Sequence, residues 1–462
     1  MLKKVFSLLM VSVMAFSVVG CSQDGAKEDA KNQYTLESLP KYESQEFEIS
    51  GFWAPYDISE EGLKIYKEAG FNTLAMINHS LGNTSEEQFY LGSKRTMTAL
   101  ENCKKVGLNA ILNYNDWKAE QCEGEGYNGE TPFSKYDLYG DYKDIITGVH
   151  ICDEPNKETM DEMANKTLIE DFKKVYPNAS YIINLSDITW PDGRGYRNYD
   201  ELLNHYSTAI MSQFDVPYIS VDCYPFWGTK DMHIIENYYK LANIAKQHDA
   251  KTTMILQSST GNEFKDTLSE GDLRWQAYLA IAFGADSLQY YCYSLPKGRA
   301  YNYCVLNEDG TPSVLYDYVK EINAEVQMFA DSVLAYDWDD ALVVSGTDIK
   351  SLRGSCLQYN PVDFKYKKFD NAAHYVGSQG TQDILVSHFL SEKYGEAYMF
   401  VNIAVDNGVP NNVIAEFKDC GAIAVYGGAD YSGTPEIIEL DENGKVSLDF
   451  EYGEGAFIIP LK

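Results

Sequence analysis

The stretch Gly148-Val149-His150-Ile151-Cys152-Asp153-Glu154-Pro155-Asn156 decides how this 462-residue chain folds. Ile145, Ile146, Val149 and Ile151 suit a buried parallel strand, and Pro155 cannot donate to a ladder, so pairing stops there. Glu154 is thereby set at the C-terminal end of a strand, where parallel α/β proteins bind ligands and eightfold barrels carry their chemistry. Asp153 and Asn156 stand where a cap is needed for the helix expected to begin near Glu158. Glu154 is the candidate catalytic carboxylate.

Outward from this strand the chain alternates β and α patterns, which predicts a parallel sheet with helical crossovers. The expected strands are Glu48 to Tyr56, Asn72 to Asn78, Leu108 to Tyr114, the Glu154 strand, Ser180 to Leu185, Pro217 to Tyr224, Thr252 to Leu256 and Ser287 to Tyr293. Helices are expected from Glu60 to Ala69, Glu86 to Val106, Thr159 to Val175, Ile234 to Lys246, Leu273 to Phe283 and Val314 to Ala330, several closed by Gly or Pro. Eight strand patterns in one ring predict a (β/α)8 TIM barrel over residues 47–335. After about Asp337 short alternating runs separated by Asn, Gly and Asp turns predict a small antiparallel β-sandwich over 336–462, ending on the strand Gly455 to Leu461.

The N-terminus carries Lys3 and Lys4, an apolar run from Val5 to Val19, and Gly20-Cys21. That run is short for a bilayer span and predicts a signal peptide over 1–20. Val18-Val19-Gly20-Cys21 resembles the bacterial lipobox, which implies lipidation of Cys21 and a cell-surface, membrane-anchored protein. Residues 21–46 then read as a tether.

The chain has 38 Lys and Arg against 69 Asp and Glu, a formal charge of −31 that becomes −33 once Lys3 and Lys4 leave with the signal. Such a surface repels nucleic acid and anionic lipid head groups, which points to a neutral substrate; no protein partner is implied. Among 36 tyrosines and 6 tryptophans, most fill the core, but flat amphipathic rings at a rim can stack on sugars. The rim candidates are Trp53, Trp117, Trp190, Tyr224, Trp227, Tyr291 and Tyr293, with the polar Asp57, Asp153, Asn156 and Gln257. The cysteines beyond Cys21 show no CxxC or other metal spacing, so no metal site, cofactor or disulfide framework is expected. One or two bridges stay open in an oxidising exterior.

Strand six repeats the pattern of strand four, because Asp222 precedes the proline-stopped run Cys223-Tyr224-Pro225-Phe226-Trp227. Together with the Arg274-Trp275-Gln276 helix before the aromatic strand eight and the trailing β-domain, these motifs resemble bacterial (β/α)8 glycoside hydrolases. In the clan-A group of those enzymes the strand-four motif is Asn-Glu-Pro, and the resemblance implies that Glu154 is the acid/base. This chain has Asp153 for the asparagine, and Gln257 where the group has a nucleophilic glutamate ending strand seven. An amide forms no glycosyl ester, so another acid has to serve or the site does not hydrolyse. Asp222 is the candidate second carboxylate, either catalytic or a buried orienter, with Glu263 as the alternative. Glu154 and Asp222 lie two strands apart, which predicts a separation wider than the roughly 5 Å of a retaining pair. The leading expectation is a carbohydrate-cleaving hydrolase. Against it stand a carbohydrate-binding surface lipoprotein on a degenerate barrel and a non-enzymatic surface protein.

Overall fold

The computed structural model describes residues 34–53, 55–75, 94–113, 139–165, 167–227, 229–230, 232–261, 265–295, 301–347, 368–404, 408–428 and 431–462. Eight parallel strands close into a barrel: β1 (Glu48–Phe52), β2 (Thr73–Leu74), β3 (Asn109–Asn113), β4 (Ile146–Asp153), β5 (Ser180–Leu185), β6 (Tyr218–Asp222), β7 (Lys251–Gln257) and β8 (Ser287–Tyr291). Each strand pairs with its sequence neighbour, and β8 pairs back onto β1 with Gly51 opposite Tyr290. The strands are buried on both faces, which is why they read as apolar runs instead of alternating ones.

The helices are α1 (Glu60–Glu68), α2 (Lys94–Val106), α3 (Lys157–Ala164), α4 (Leu168–Val175), α5 (Tyr199–Tyr206), α6 (His233–His248), α7 (Glu270–Ala282) and α8 (Val314–Val333). In α1 the Ser59 side chain caps Gly62 N, and Leu63 and Tyr66 turn inward. The Tyr66 hydroxyl accepts from Gly51 N and donates to Thr73 O, both at 2.7 Å, so one side chain ties β1 to β2. The helix expected over Thr159 to Val175 is two helices. Asn165 satisfies the end of α3 through its own N–H to Glu162 O and its amide to Asp161 O, and the helical path restarts at α4.

The second domain stacks a six-stranded antiparallel sheet on a three-stranded one. Val386, Phe400, Val413, Phe417, Leu448 and Ile458 interdigitate between them. The expected last strand, Gly455–Leu461, lies inside the larger sheet. Helix α7 is buried from Asp272 to Ala282 because it is wedged between barrel and sandwich, with Asp272, Arg274 and Gln276 paired inside that layer. Its Tyr278 hydroxyl donates to Glu325 of α8 and accepts from Gly428 N at 2.8 Å, fastening both layers.

Part of the segment expected to be tether is packed. Tyr42 sits edge-on against Tyr394 (5.0 Å) and beside Tyr336 and Tyr426, and Gln45 N donates to Asp331. The packed chain therefore begins before residue 47. Among the described residues no helix is long and apolar enough to cross a membrane.

Candidate active site

Strand β4 delivers its acids by breaking regularity. Its ladder shifts register between His150 and Cys152, the sign of a bulge, which re-aims the side chains that follow. Glu154 then adopts φ 42°, a left-handed conformation that costs a non-glycine residue on the order of 1 kcal/mol or more. Its backbone N–H is held by Asn184 O at 2.8 Å. Pro155 ends the pairing, and Asn156 caps α3 by accepting from Thr159 N at 2.8 Å. Asp153 does not share the cap role. It accepts from Asn184 Nδ2 at 3.1 Å, and Asn184 in turn accepts from Ser220 Oγ at 3.0 Å.

The left-handed step swings Glu154 across the end of β5 toward β6. Glu154 and Asp222 stand within electrostatic reach of one another, and the Glu154 charge acts directly on the Asp222 carboxyl. Arg194, from the loop after β5, donates to Glu154 Oε2 as an ion pair. Burial, then the charge of Asp153, push the Glu154 carboxyl up to about 7; Arg194 opposes them, and Asp187 adds to the rise. Burial and the adjoining Glu154 charge likewise hold Asp222 well above the usual carboxylate range, with Tyr224 as a hydrogen-bond partner working against the rise. The Asp222 side chain is 8% exposed, and its Oδ1 has no hydrogen-bond partner.

Aromatic rings wall the same mouth. Trp53 ends β1 with φ 63°, a second left-handed non-glycine residue at the rim. Its ring lies 5.2 Å from that of Tyr291, which stacks on Tyr224 at 5.0 Å and shares a 3.1 Å hydrogen bond with Tyr301. Trp190 is 57% exposed and carries the Arg194 guanidinium 5.1 Å above its ring. Gly193 lets this ring lie close over the backbone, because a Cβ would fall 1.9 Å from Trp190 Nε1 and push the ring aside.

The fold thus brings together Glu154, Asp222, Asp153, Trp53, Tyr224 and Tyr291, with Trp190 on the outer lip. It separates others. Tyr293 is fully buried, edge-on to Tyr66 at 4.8 Å and Phe71 at 5.1 Å, because β8 ends at Tyr291 and strand alternation carries no further. Gln257 spends its amide on the backbone. Its Oε1 accepts from Phe226 N at 2.9 Å and its Nε2 donates to Ser259 O at 3.2 Å, pinning the turn after β6. Asp57 is exposed and shapes the entry to α1 by accepting from Ser59 N. Cys21, Trp117 and Glu263 lie outside the described residues, as does the side chain of Trp227.

Sequence reasoning missed Arg194 and Tyr301. Arg194 had one signal, a cation following the Pro191-Asp192-Gly193 turn at an acidic rim. Tyr301 had none, since its place depends on how the loop after β8 folds back.

No family model matches this chain, and no curated protein does. Among solved structures it is similar to a family 39 glycoside hydrolase from the gut symbiont Bacteroides cellulosilyticus WH2, with 12% identity, 90% of this chain and 81% of that chain covered, and a TM-score of 0.48. It is also similar to a GH30 endoxylanase from Clostridium papyrosolvens C71, with 11% identity, coverage of 91% and 98%, and a TM-score of 0.44. A beta-galactosidase from the psychrophilic Marinomonas ef1 gives 10% identity, coverage of 65% and 63%, and a TM-score of 0.48. Scores this low carry no inference about chemistry, which rests on the side chains at the barrel mouth.

Proposed function

We propose that this chain is a glycoside hydrolase for a neutral oligo- or polysaccharide, with Glu154 as proton donor and Asp222 as the second carboxylate. The observation that carries it is the electrostatic coupling of these two buried acids inside an aromatic barrel mouth. A carboxyl with its pKa raised to about 7 is protonated in about half of the molecules at neutral pH and can then give that proton to a leaving oxygen. The substrate has to enter between the two groups so that Glu154 can donate to the glycosidic oxygen. Burial and the Glu154 charge favour the proton on Asp222 in the free site, so Asp222 has to give that proton up before its carboxylate can face the developing oxocarbenium centre. Tyr291, Tyr224 and Trp53 supply apolar faces for sugar rings, and Trp190 extends that platform outward. Among the described residues, four acids stand against Arg194 at this mouth, which disfavours an anionic sugar.

A second reading is a carbohydrate-binding protein without turnover, favoured by Gln257, whose amide is committed to backbone at the strand-seven position. A panel of neutral polysaccharides scored for both binding and released product separates the two. Product release supports the hydrolase; binding with no product on any substrate overturns it in favour of the binder. From the sequence alone, the same proposal sets the protein on the outer face of a membrane, anchored through Cys21.

A further inference from the structure

Behind the carboxyl pair, at the ends of β5 and β6 and the start of α6, three ligand-type side chains converge. Cys223 Sγ lies 3.3 Å from His233 Nε2, and Asp187 Oδ2 lies 3.5 Å from the same nitrogen. The three donor atoms all stand within 4.8 Å of one another. Cys223 is fully buried and His233 is 1% exposed, while Asp187 reaches solvent with 16% of its side chain exposed. We propose that Asp187, Cys223 and His233 bind one divalent transition-metal ion of the zinc class.

The geometry favours a metal over the other chemistry these residue types perform. A nucleophilic relay sets the thiol on one ring nitrogen and the carboxylate on the other. Here both converge on Nε2, and one nitrogen cannot serve both partners as a relay. An ion between the three does satisfy all of them. With Zn–S of about 2.3 Å and Zn–N of about 2.0 Å, tetrahedral angles put S and N about 3.5 Å apart and N and O about 3.3 Å apart. The observed S–N of 3.3 Å and N–O of 3.5 Å agree with those two sides to about 0.2 Å, and the third pair lies within 4.8 Å.

Two neighbouring features fit the same occupant. Asp187 Oδ1 is taken by the Thr189 N–H at 2.8 Å and by the Thr189 hydroxyl, which fixes the carboxylate and leaves Oδ2 facing His233. Tyr238, fully buried on α6, stands within electrostatic reach of Cys223 and Asp187, and its hydroxyl has no hydrogen-bond partner. A water in the fourth coordination position would give it one. On binding, the Cys223 thiol releases its proton to solvent, His233 donates the Nε2 lone pair and keeps its proton on Nδ1, and thiolate and carboxylate together neutralise the +2 ion. Export through oxidising compartments does not conflict with such a site, because a metal-held thiolate is shielded from disulfide exchange.

The test is to strip the full chain with a chelator, reload it with Co²⁺ or Zn²⁺, remove free ion and measure metal per chain together with the absorption spectrum. Surface acids can also hold metal, so the discriminating signal is the thiolate-to-cobalt charge-transfer band. The expected result is one ion per chain with that band present. Cys223→Ser should lose the band and weaken binding by more than the roughly 10–100-fold typical of outer-shell changes. Should Cys223→Ser not fold, Asp187→Asn, on a partly exposed turn, should keep the band while weakening binding. A parent chain that retains no ion, or a folded Cys223→Ser variant that binds as the parent does, overturns the proposal.

Discussion

The Arg194 guanidinium and the Glu154 carboxylate form an ion pair across the barrel mouth, and the carboxyl of Asp222 stands within electrostatic reach of the same glutamate. Glu154 is therefore held between a cation that favours its charged form and a buried acidic surround that favours its neutral form. The second influence wins, leaving the group near pH 7.

This balance predicts a pH profile. If the neutral form of Glu154 acts, turnover should fall as pH rises through about 7. Arg194→Met removes the opposing cation and should move that limb upward, whereas Asp153→Asn removes the largest nearby negative charge and should move it downward. Initial rates across pH 5–9, with carboxyl titration by NMR, check both shifts. Limbs that do not move would place the acid elsewhere.

The same carboxyl links stability to pH. Its pKa is raised in the fold from an ordinary 4.5, so the fold favours the proton, and stability present below pH 4.5 is lost as pH rises through about 7. Glu154→Gln cannot ionise. Its unfolding free energy should equal the parent's near pH 4 and exceed it above pH 7, by an amount on the order of 1 kcal/mol or more. A variant less stable than the parent at pH 8 would contradict the assigned burial.

Trp190 and Gly193 form one unit on the outer lip. Trp190→Ala should leave stability within about 0.5 kcal/mol, because the ring is mostly exposed. Glycan affinity should fall by about 3- to 10-fold, the scale of a lost aromatic contact. Gly193→Ala should weaken binding similarly, since its Cβ displaces the same ring. Isothermal titration with whichever glycan binds decides this, and undiminished affinity in both variants would remove the lip from the binding surface.

Much of this was legible in the sequence, for identifiable reasons. The barrel was readable because each strand is a short apolar run and helices end on residues such as Gly70, Gly107 and Gly284. Glu154 was readable because Pro155 marks a strand end. What pattern could not supply was the backbone step at Glu154 itself, whose positive φ follows the register shift in β4. Tyr293 was misread for a related reason, since alternation holds only while a strand continues, and β8 stops two residues earlier. The convergence of Asp187, Cys223 and His233 was invisible because its members come from three separate elements, outside any short ligand spacing.

Helix α7 gives a stability prediction. Arg274 is buried between Glu325, at 3.1 Å, and Glu270. Arg274→Leu leaves the buried Glu325 carboxylate without its cation, while the partly exposed Glu270 can turn to solvent, and should cost about 3–5 kcal/mol. Lys104→Leu, which breaks an exposed pair with Asp144, should cost less than about 1 kcal/mol. Denaturant unfolding of both variants tests the contrast, and equal losses would refute it.

The proposed anchor is tested by Cys21→Ala, which should release the protein from membranes in cell fractionation; equal membrane retention of variant and parent would reject lipidation at Cys21.

The most direct test of the central claim is product release from a neutral polysaccharide, and from an aryl glycoside with a good leaving group, by the parent, Glu154→Gln and Asp222→Asn. The parent should release product from both substrates. Glu154→Gln should lose about 10²-fold or more on the polysaccharide and less on the aryl glycoside, whose leaving group needs no proton. Asp222→Asn should fail on both, because its role does not depend on the leaving group. Parent-like turnover in either variant, or a parent chain that binds glycan and never cleaves it, would contradict the assignment of Glu154 and Asp222 as the reacting pair.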